Sequence, residues 1–217
     1  YQINTLEIVQ DSRNRWYACI TVKDYPKQSC GTGSVGIDLG LKDSATASNG
    51  DKLTIKQTLK YAKQLAIAQR SNNKKRIKAI HAKIKNTRQD LIHKFTTQLV
   101  KDNALIVVGD VKTTQFNSKK GKLAKSVYDA GWFELKRQLT YKCENAGCRF
   151  EIVSERYTTQ TCSCCGDMSS SPKGRAGLRI REWTCATCGT RHDRDINASK
   201  NILAVGLNRL VEGIPSL

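Results

Sequence analysis

The sequence predicts an α/β domain: a mixed sheet with helices packed on it and a small metal-binding ribbon inserted near its end. Three observations predict it. From residue 34 onward, segments of strand and helix character follow one another in the order β-β-β-α-β-α-β-α. Two C-x-x-C pairs, Cys162/Cys165 and Cys185/Cys188, interrupt that order just before the last helix. Acids stand at the end of the first of these strands, Asp38, and at the head of the last helix, Asp195.

Composition narrows the function classes. A chain of 217 residues with 39% apolar residues is long enough to bury a core as one large domain, or as one domain with a small module. Thirty-seven Lys and Arg against nineteen Asp and Glu leave a net charge of +18, a surplus that attracts polyanions and points to a nucleic-acid partner. No apolar run is long enough for a membrane span, and no secretory signal pattern opens the sequence. Nine cysteines is an odd number, and four of them fall in C-x-x-C pairs, so metal binding in a reducing, cytoplasmic setting is expected over disulfides.

Residues 2–9 and 15–22 read as a β-hairpin around the turn DSRN. Residues 24–33, with Pro26, Gly31 and Gly33, read as a linker, so 1–33 is expected to be the remnant of an upstream domain. The stretch SVGID (34–38) is a buried strand ending at Asp38, with Gly36 and Gly40 allowing backbone or substrate to come close. Residues 44–48 and 52–55 are the next two strands, turned at Asn49-Gly50. Residues 56–100 carry helical stripes, Ile77/Ile80/Ile84 and then Leu91/Phe95/Leu99, with a break expected at Asn72-Asn73. Twelve Lys or Arg against the single acid Asp90 between positions 56 and 94 suggest a surface that faces phosphates. His81 and His93 have no spaced ligand partner and read as surface or packing residues.

The run ALIVV (104–108) has the continuous apolar character of a strand covered on both faces. Residues 112–128 are Lys-rich and aperiodic, and read as a mobile basic loop suited to a lid or a substrate contact. Residues 131–147 form an amphipathic helix, with Phe133, Leu135, Leu139 and Tyr141 near its apolar side and Gly147 as its stop. Residues 149–154 form a strand, with Glu155 at its end. Residues 196–211 are the last helix, expected to bury Ile196, Ile202, Leu203, Leu207 and Leu210.

Each C-x-x-C turn presents two thiolates, and two such turns complete a tetrahedral shell around one Zn²⁺. Cys162, Cys165, Cys185 and Cys188 are the expected ligands, and four protein ligands make the site structural. The glycine after each pair, Gly166 and Gly189, favours Cys165 over Cys164. His192 is a possible competitor that a four-cysteine site does not need. Cys143 and Cys148 are spaced as a second half-site without a matching pair, so buried free thiols are expected there.

The order of elements is that of a ribonuclease-H-like mixed sheet, which gathers carboxylates at strand ends and at the start of the last helix. Such carboxylates suit two Mg²⁺ ions roughly 3.5–4 Å apart, one activating water and one stabilising the leaving oxygen of a phosphodiester. The motifs GIDLG, YTTQTCSCCG, WTCATCG and HDRDINASKNI resemble the RuvC nuclease domain of the TnpB family, transposon-encoded RNA-guided DNA endonucleases related to type V CRISPR effectors. The resemblance covers roughly residues 34–212 and implies a nuclease domain over 34–156 and 191–217 with a zinc ribbon inserted at 157–190. It implies a catalytic triad of Asp, Glu and Asp, in which Asp38 matches the first acid and Asp195 the third, with Asp193 a nearby decoy.

The middle acid departs from the family. Its usual position holds Gly109, followed by Asp110. Glu155, at the end of the neighbouring strand, is the preferred replacement. Asp110 is the alternative, although its side chain is expected on the other face of its strand, and a disabled site is the third possibility. The resemblance therefore implies a nuclease using one structural Zn²⁺ and two catalytic Mg²⁺ (or Mn²⁺), with guide RNA and target DNA as partners and no membrane. The competing function is a nuclease-inactive, RNA-guided DNA-binding protein or repressor. A self-contained junction resolvase is disfavoured by the zinc insertion.

Overall fold

Two exposed strands come first among the described residues. Strands β1 (Gln2–Gln10) and β2 (Trp16–Lys23) pair antiparallel as the predicted hairpin. Asp11 organises the turn: its carboxylate accepts from the backbone N–H of Arg13 and Arg15 and pairs with the Arg15 guanidinium, while Asn14 takes a left-handed φ of 62°. Every residue of both strands is exposed, including Ile3, Leu6, Ile8, Trp16 and Ile20. The structure, a computed structural model, describes residues 2–23, 28–111, 129–168, 172–173, 177 and 179–212. The basic stretch 112–128, read as a lid, lies outside the described residues.

The chain divides into two compact units, one of Tyr1–Gln28 with Lys56–Asp90 and one of Ser29–Ile55 with Leu91–Leu217. In the first, helices α1 (Gln57–Lys60) and α2 (Ala62–Arg70) precede the start of α3 (Lys74–Asp102). The break at Asn72 is present, with φ of 49°, and a second break that the stripes did not reveal falls at Tyr61. Tyr61, Ala68, Ile80 and Ile84 form a small core there, with Leu65 and Ile77 against it.

The second unit holds the mixed sheet, with strand order β5-β4-β3-β6-β7. Its members are β3 (Gly33–Asp38), β4 (Ala45–Ala47), β5 (Lys52–Leu53), β6 (Asn103–Gly109) and β7 (Arg149–Val153). β3, β4 and β5 form the predicted antiparallel meander, while β6 runs parallel to both β3 and β7. Val35, Ile37, Ile106 and Val108 face one layer, made by the end of α3 and by α4 (Trp132–Ala146). Leu105, Val107 and Val153 face the opposite layer, helix α5 (Arg194–Glu212). β6 is thus apolar from Ala104 to Val108 because it is covered twice.

Two glycines set the distance of α5 from the sheet. A Cβ on Gly36 would stand 2.1 Å from the Ser199 carbonyl oxygen, and one on Gly206 would stand 2.5 Å from Val107 Cγ2. The close approach that Gly36 permits is therefore that of the helix backbone. Three apolar assignments are corrected. Phe133 is 77% exposed and Tyr141 also faces out, because Trp132, Leu135, Leu139, Cys143 and Ala146 fix the buried face of α4 and Phe133 lies about 200° around the helix from Leu135. Leu207 is likewise exposed on α5, where Ala198 and Ile202 fill the interface. Gly147 ends α4 with a left-handed φ of 69°, as expected. Cys143 and Cys148 are buried, with Cys30 packed against the same core.

The ribbon carries its own two-stranded sheet, β8 (Glu182–Thr184) against β9 (Arg191–Asp193), pairing Trp183 with His192. Among the described residues no helix is long and apolar enough to cross a membrane.

Candidate metal centre and carboxylate site

The two knuckles repeat one local geometry. In the first, the Gly166 N–H donates to the Cys162 carbonyl and the Cys162 N–H to the Asp167 carbonyl. In the second, the Gly189 N–H donates to the Cys185 carbonyl and the Cys185 N–H to the Thr190 carbonyl. Gly166 and Gly189 have φ of 80° and 70°, a region closed to most side chains, which is why each pair is followed by glycine. The four Sγ atoms of Cys162, Cys165, Cys185 and Cys188 all lie within 4.8 Å of one another. The Cys162–Cys188 and Cys165–Cys185 sulfur separations are both 3.7 Å. A tetrahedron with metal–sulfur bonds of about 2.3 Å has edges of about 3.8 Å, so the donor set fits a four-thiolate metal ion. The Thr190 hydroxyl and backbone beside Cys188 hold its thiol down at about 6, toward the thiolate that a metal needs.

His192 stays outside the four. Its Nε2 lies 3.0 Å from Cys162 Sγ and its ring stacks on Trp183 at 4.7 Å. Cys164 is exposed, and only Cys162 and Cys165 of the first knuckle join the cluster. Among the described residues no other group of three or more such ligands comes within that distance, so Cys143 and Cys148 form no second centre there.

The three carboxylates lie on the α5 side of the sheet. Asp38 ends β3 and Asp195 lies in the first turn of α5. Burial, reinforced by the charges of Asp195 and then Glu155 and opposed by Arg194 and Arg181, pushes Asp38 up to about 7. Burial also raises Glu155, with Lys136 opposing and Asp110 reinforcing. A Cβ placed on Gly109 would come 3.4 Å from both Cβ and Oε2 of Glu155 and 3.0 Å from Ile202 Cδ1. The Glu155 carboxylate thus lies against the space that a side chain at 109 would enter. Asp110 turns toward α4, where its Oδ1 accepts from Lys136 Nζ at 3.1 Å. This follows the alternation of the strand, since Ile106 and Val108 share that face. The three acids are electrostatic neighbours, yet they do not form a group as tight as the cysteines.

Asp193, set aside as a decoy in the sequence, and two asparagines that the sequence reading passed over hold this arrangement. Asp193 caps α5, its Oδ1 accepting from the N–H groups of Asp195 and Ile196, and it pairs with Lys52 at 3.3 Å. Asn197 and Asn201, one turn apart on α5, both donate to the Thr158 and Thr161 carbonyls. They clamp the turn that follows Glu155, in which Tyr157 has a left-handed φ of 66°. Asn197 also accepts from the Ser163 N–H inside the first knuckle. Their spacing of four in INASKN was the available signal, but a spacing of four names a helix face and not what that face touches.

Comparison with known proteins adds the family. Residues 17–118 match the family OrfB_IS605, described as "Probable transposase", and residues 132–202 match the Cas12f1-like TNB domain. The chain is 36% identical over 94% of its length to the "Putative RNA-guided DNA endonuclease" of Streptomyces pristinaespiralis, covering 53% of that protein. It is 31% identical over 91% of its length to the "Putative RNA-guided DNA endonuclease InsQ" of Escherichia coli (strain K12), covering 56%. The chain therefore spans about half the length of these curated relatives. In fold it resembles the protein of a Cas12f1–sgRNA–target DNA complex, with a TM-score of 0.55 at 18% identity over 91% of this chain and 55% of the other. The mixed sheet and ribbon define an α/β protein of the Cas12f fold type. The sequence matches are to an IS605-type transposase model and a Cas12f1-like model, each over less than half of this chain.

Proposed function

We propose that this chain is the nuclease part of an RNA-guided DNA endonuclease of TnpB type, working in the cytoplasm with guide RNA and target DNA as partners. Residues 34–156 and 191–217 form a ribonuclease-H-like (RuvC) domain and residues 157–190 an inserted zinc ribbon. The exposed apolar hairpin within 1–33 is an element of a further domain. One Zn²⁺ sits in the four-cysteine site. Asp38, Glu155 and Asp195 would hold two Mg²⁺ ions, whose chemistry there would be to activate a water and to neutralise the leaving oxygen of a phosphodiester. The side chains present three carboxylates on one face; burial raises Asp38, with the charges of Asp195 and Glu155 adding to it, and burial raises Glu155.

The observation that carries this reading is the Glu155 carboxylate lying against the vacant side-chain position of Gly109, on the same face as Asp38 and Asp195. Asp110, engaged by Lys136 toward the α4 face, is not needed for the triad. The basic composition and the Lys-rich helices after position 56 suit the backbone of a nucleic-acid duplex.

The test is plasmid cleavage in Mg²⁺ by the chain expressed with its native flanking sequence and RNA. Glu155→Gln lowers cleavage at least about a hundredfold and Asp110→Asn less than about threefold, while Gly109→Glu combined with Glu155→Ala restores part of the loss. Cleavage that survives Glu155→Gln and is lost in Asp110→Asn reverses the assignment. Guided DNA binding by an intact complex that never cleaves favours the nuclease-inactive reading, whose supporting observation is Gly109 itself.

A further inference from the structure

We propose that Arg181 is a built-in counter-cation of the carboxylate site, held on Asp195 until a divalent metal displaces it onto a phosphate of the bound strand. The proposal rests on the reading of Asp38, Glu155 and Asp195 as metal-holding acids. Arg181 Nη1 lies 3.1 Å from Asp195 Oδ1 and 3.2 Å from Oδ2, so one guanidinium nitrogen bridges both oxygens. The Arg181 side chain is 43% exposed and that of Asp195 is 18% exposed, so the guanidinium can swing into solvent while the acid stays in place. Its backbone is fixed meanwhile. The Arg181 carbonyl accepts from the Arg194 N–H at 2.7 Å, and β8 begins at the next residue. The ribbon therefore carries the cation on a short arm anchored at the head of α5.

Three other described cations around the site are engaged elsewhere. Arg194 Nη1 donates to the Gly177 carbonyl at 2.6 Å, Lys52 pairs with Asp193 at 3.3 Å and Lys136 with Asp110 at 3.1 Å. Arg181 is the one of these four whose contact lies on a proposed metal carboxylate. Because Nη1 engages both oxygens of Asp195, a dication must compete with it for the same carboxylate, and the two charges repel each other. Once displaced, the planar fork of Arg181 matches the oxygens of a phosphodiester. Metal loading and nucleic-acid binding are then positively coupled, and each tightens the other. In the free protein the same contact weakens metal binding.

The test is Mn²⁺ binding to the zinc-loaded 217-residue chain without nucleic acid, read from the free-ion signal in electron paramagnetic resonance. Arg181→Gln tightens Mn²⁺ binding about fivefold, and Arg181→Lys, which keeps the charge and loses the fork, tightens it less. Unchanged zinc stoichiometry in both variants shows that the ribbon is folded. A short single-stranded DNA tightens Mn²⁺ binding in the parent and has a smaller effect in Arg181→Gln. Mn²⁺ affinity in Arg181→Gln equal to or weaker than the parent's overturns the proposal. If Asp195→Asn binds Mn²⁺ as tightly as the parent, the carboxylate reading itself falls, and the proposal with it. Weakening by Asp195→Asn without tightening by Arg181→Gln removes the proposal and leaves the carboxylate reading standing.

Discussion

In the ribbon, each half of the ligand set is a short run of consecutive chain, Cys162 to Gly166 and Cys185 to Gly189, and the two halves share one hydrogen-bond pattern. At the end of the sheet, Asp38, Glu155 and Asp195 come from a strand end, a turn and a helix head, brought together by packing across well over a hundred residues. The sulfurs already stand at the separations of a metal shell. Burial and the charges of Asp195 and Glu155 raise Asp38, and Asp195 pairs with Arg181. The difference is one of where the information lies. A thiolate knuckle is specified locally by its turn. A carboxylate cluster exists only if the whole sheet and its helix are in register, and it is destabilising until a cation arrives.

Three perturbations test that contrast. The largest effect is expected from Cys185→Ser or from stripping the ribbon's metal with a chelator. A structural zinc contributes apparent binding energy on the order of 10 kcal/mol to such a module. Protection of residues 179–195 from hydrogen exchange is lost, and the proposed cleavage falls at least about a hundredfold because Glu155 and Asp195 flank the ribbon. A ribbon that stays protected without metal breaks the contrast.

Next comes Asp38→Asn. Asp38 is pushed up to about 7 in the folded state from an ordinary 3.8, so protonation favours the folded form. That stabilisation is complete below about 3.8 and is lost as pH rises through about 7. The neutral variant is therefore more stable than the parent by about 2 kcal/mol at pH 8 in Mg²⁺-free, zinc-loaded protein, and the gain shrinks toward zero near pH 4. Denaturant titration at the two pH values checks this. A variant less stable than the parent at pH 8 contradicts it.

The smallest effect is that of Asn201→Ala. It removes two of the four contacts on the Thr158 and Thr161 carbonyls and leaves those of Asn197. About 1 kcal/mol of stability is lost, seen as faster amide exchange at Gln160 and Thr161 while the metal content of the ribbon is unchanged.

How much was legible in the sequence follows the same division. Continuous apolar character marked β6, and glycine after each C-x-x-C marked the knuckles, because these are local properties of the chain. Glu155 could be singled out because Gly109 left a gap in a known pattern, and it does lie beside Gly109. Arg181 on Asp195, Lys136 on Asp110 and the two asparagines on the turn after Glu155 were not reachable, since each joins residues far apart in sequence. Phe133, Tyr141 and Leu207 were misassigned for a related reason. An apolar residue at roughly the right helical angle is exposed when its neighbours have already fixed the buried face. The break at Tyr61 has no proline or glycine to announce it.

Gly36 has no side chain, and that absence lets α5 lie directly on β3. Asp38 is two residues further along that strand, and Asp195 is one turn before Ser199 along that helix. If the two acids share ions as proposed, the thickness of a single methyl group at Gly36 decides whether their oxygens can span the same cation. The calibre of the site, and with it the ionic radius it accepts, is then set by a residue that never meets the ion.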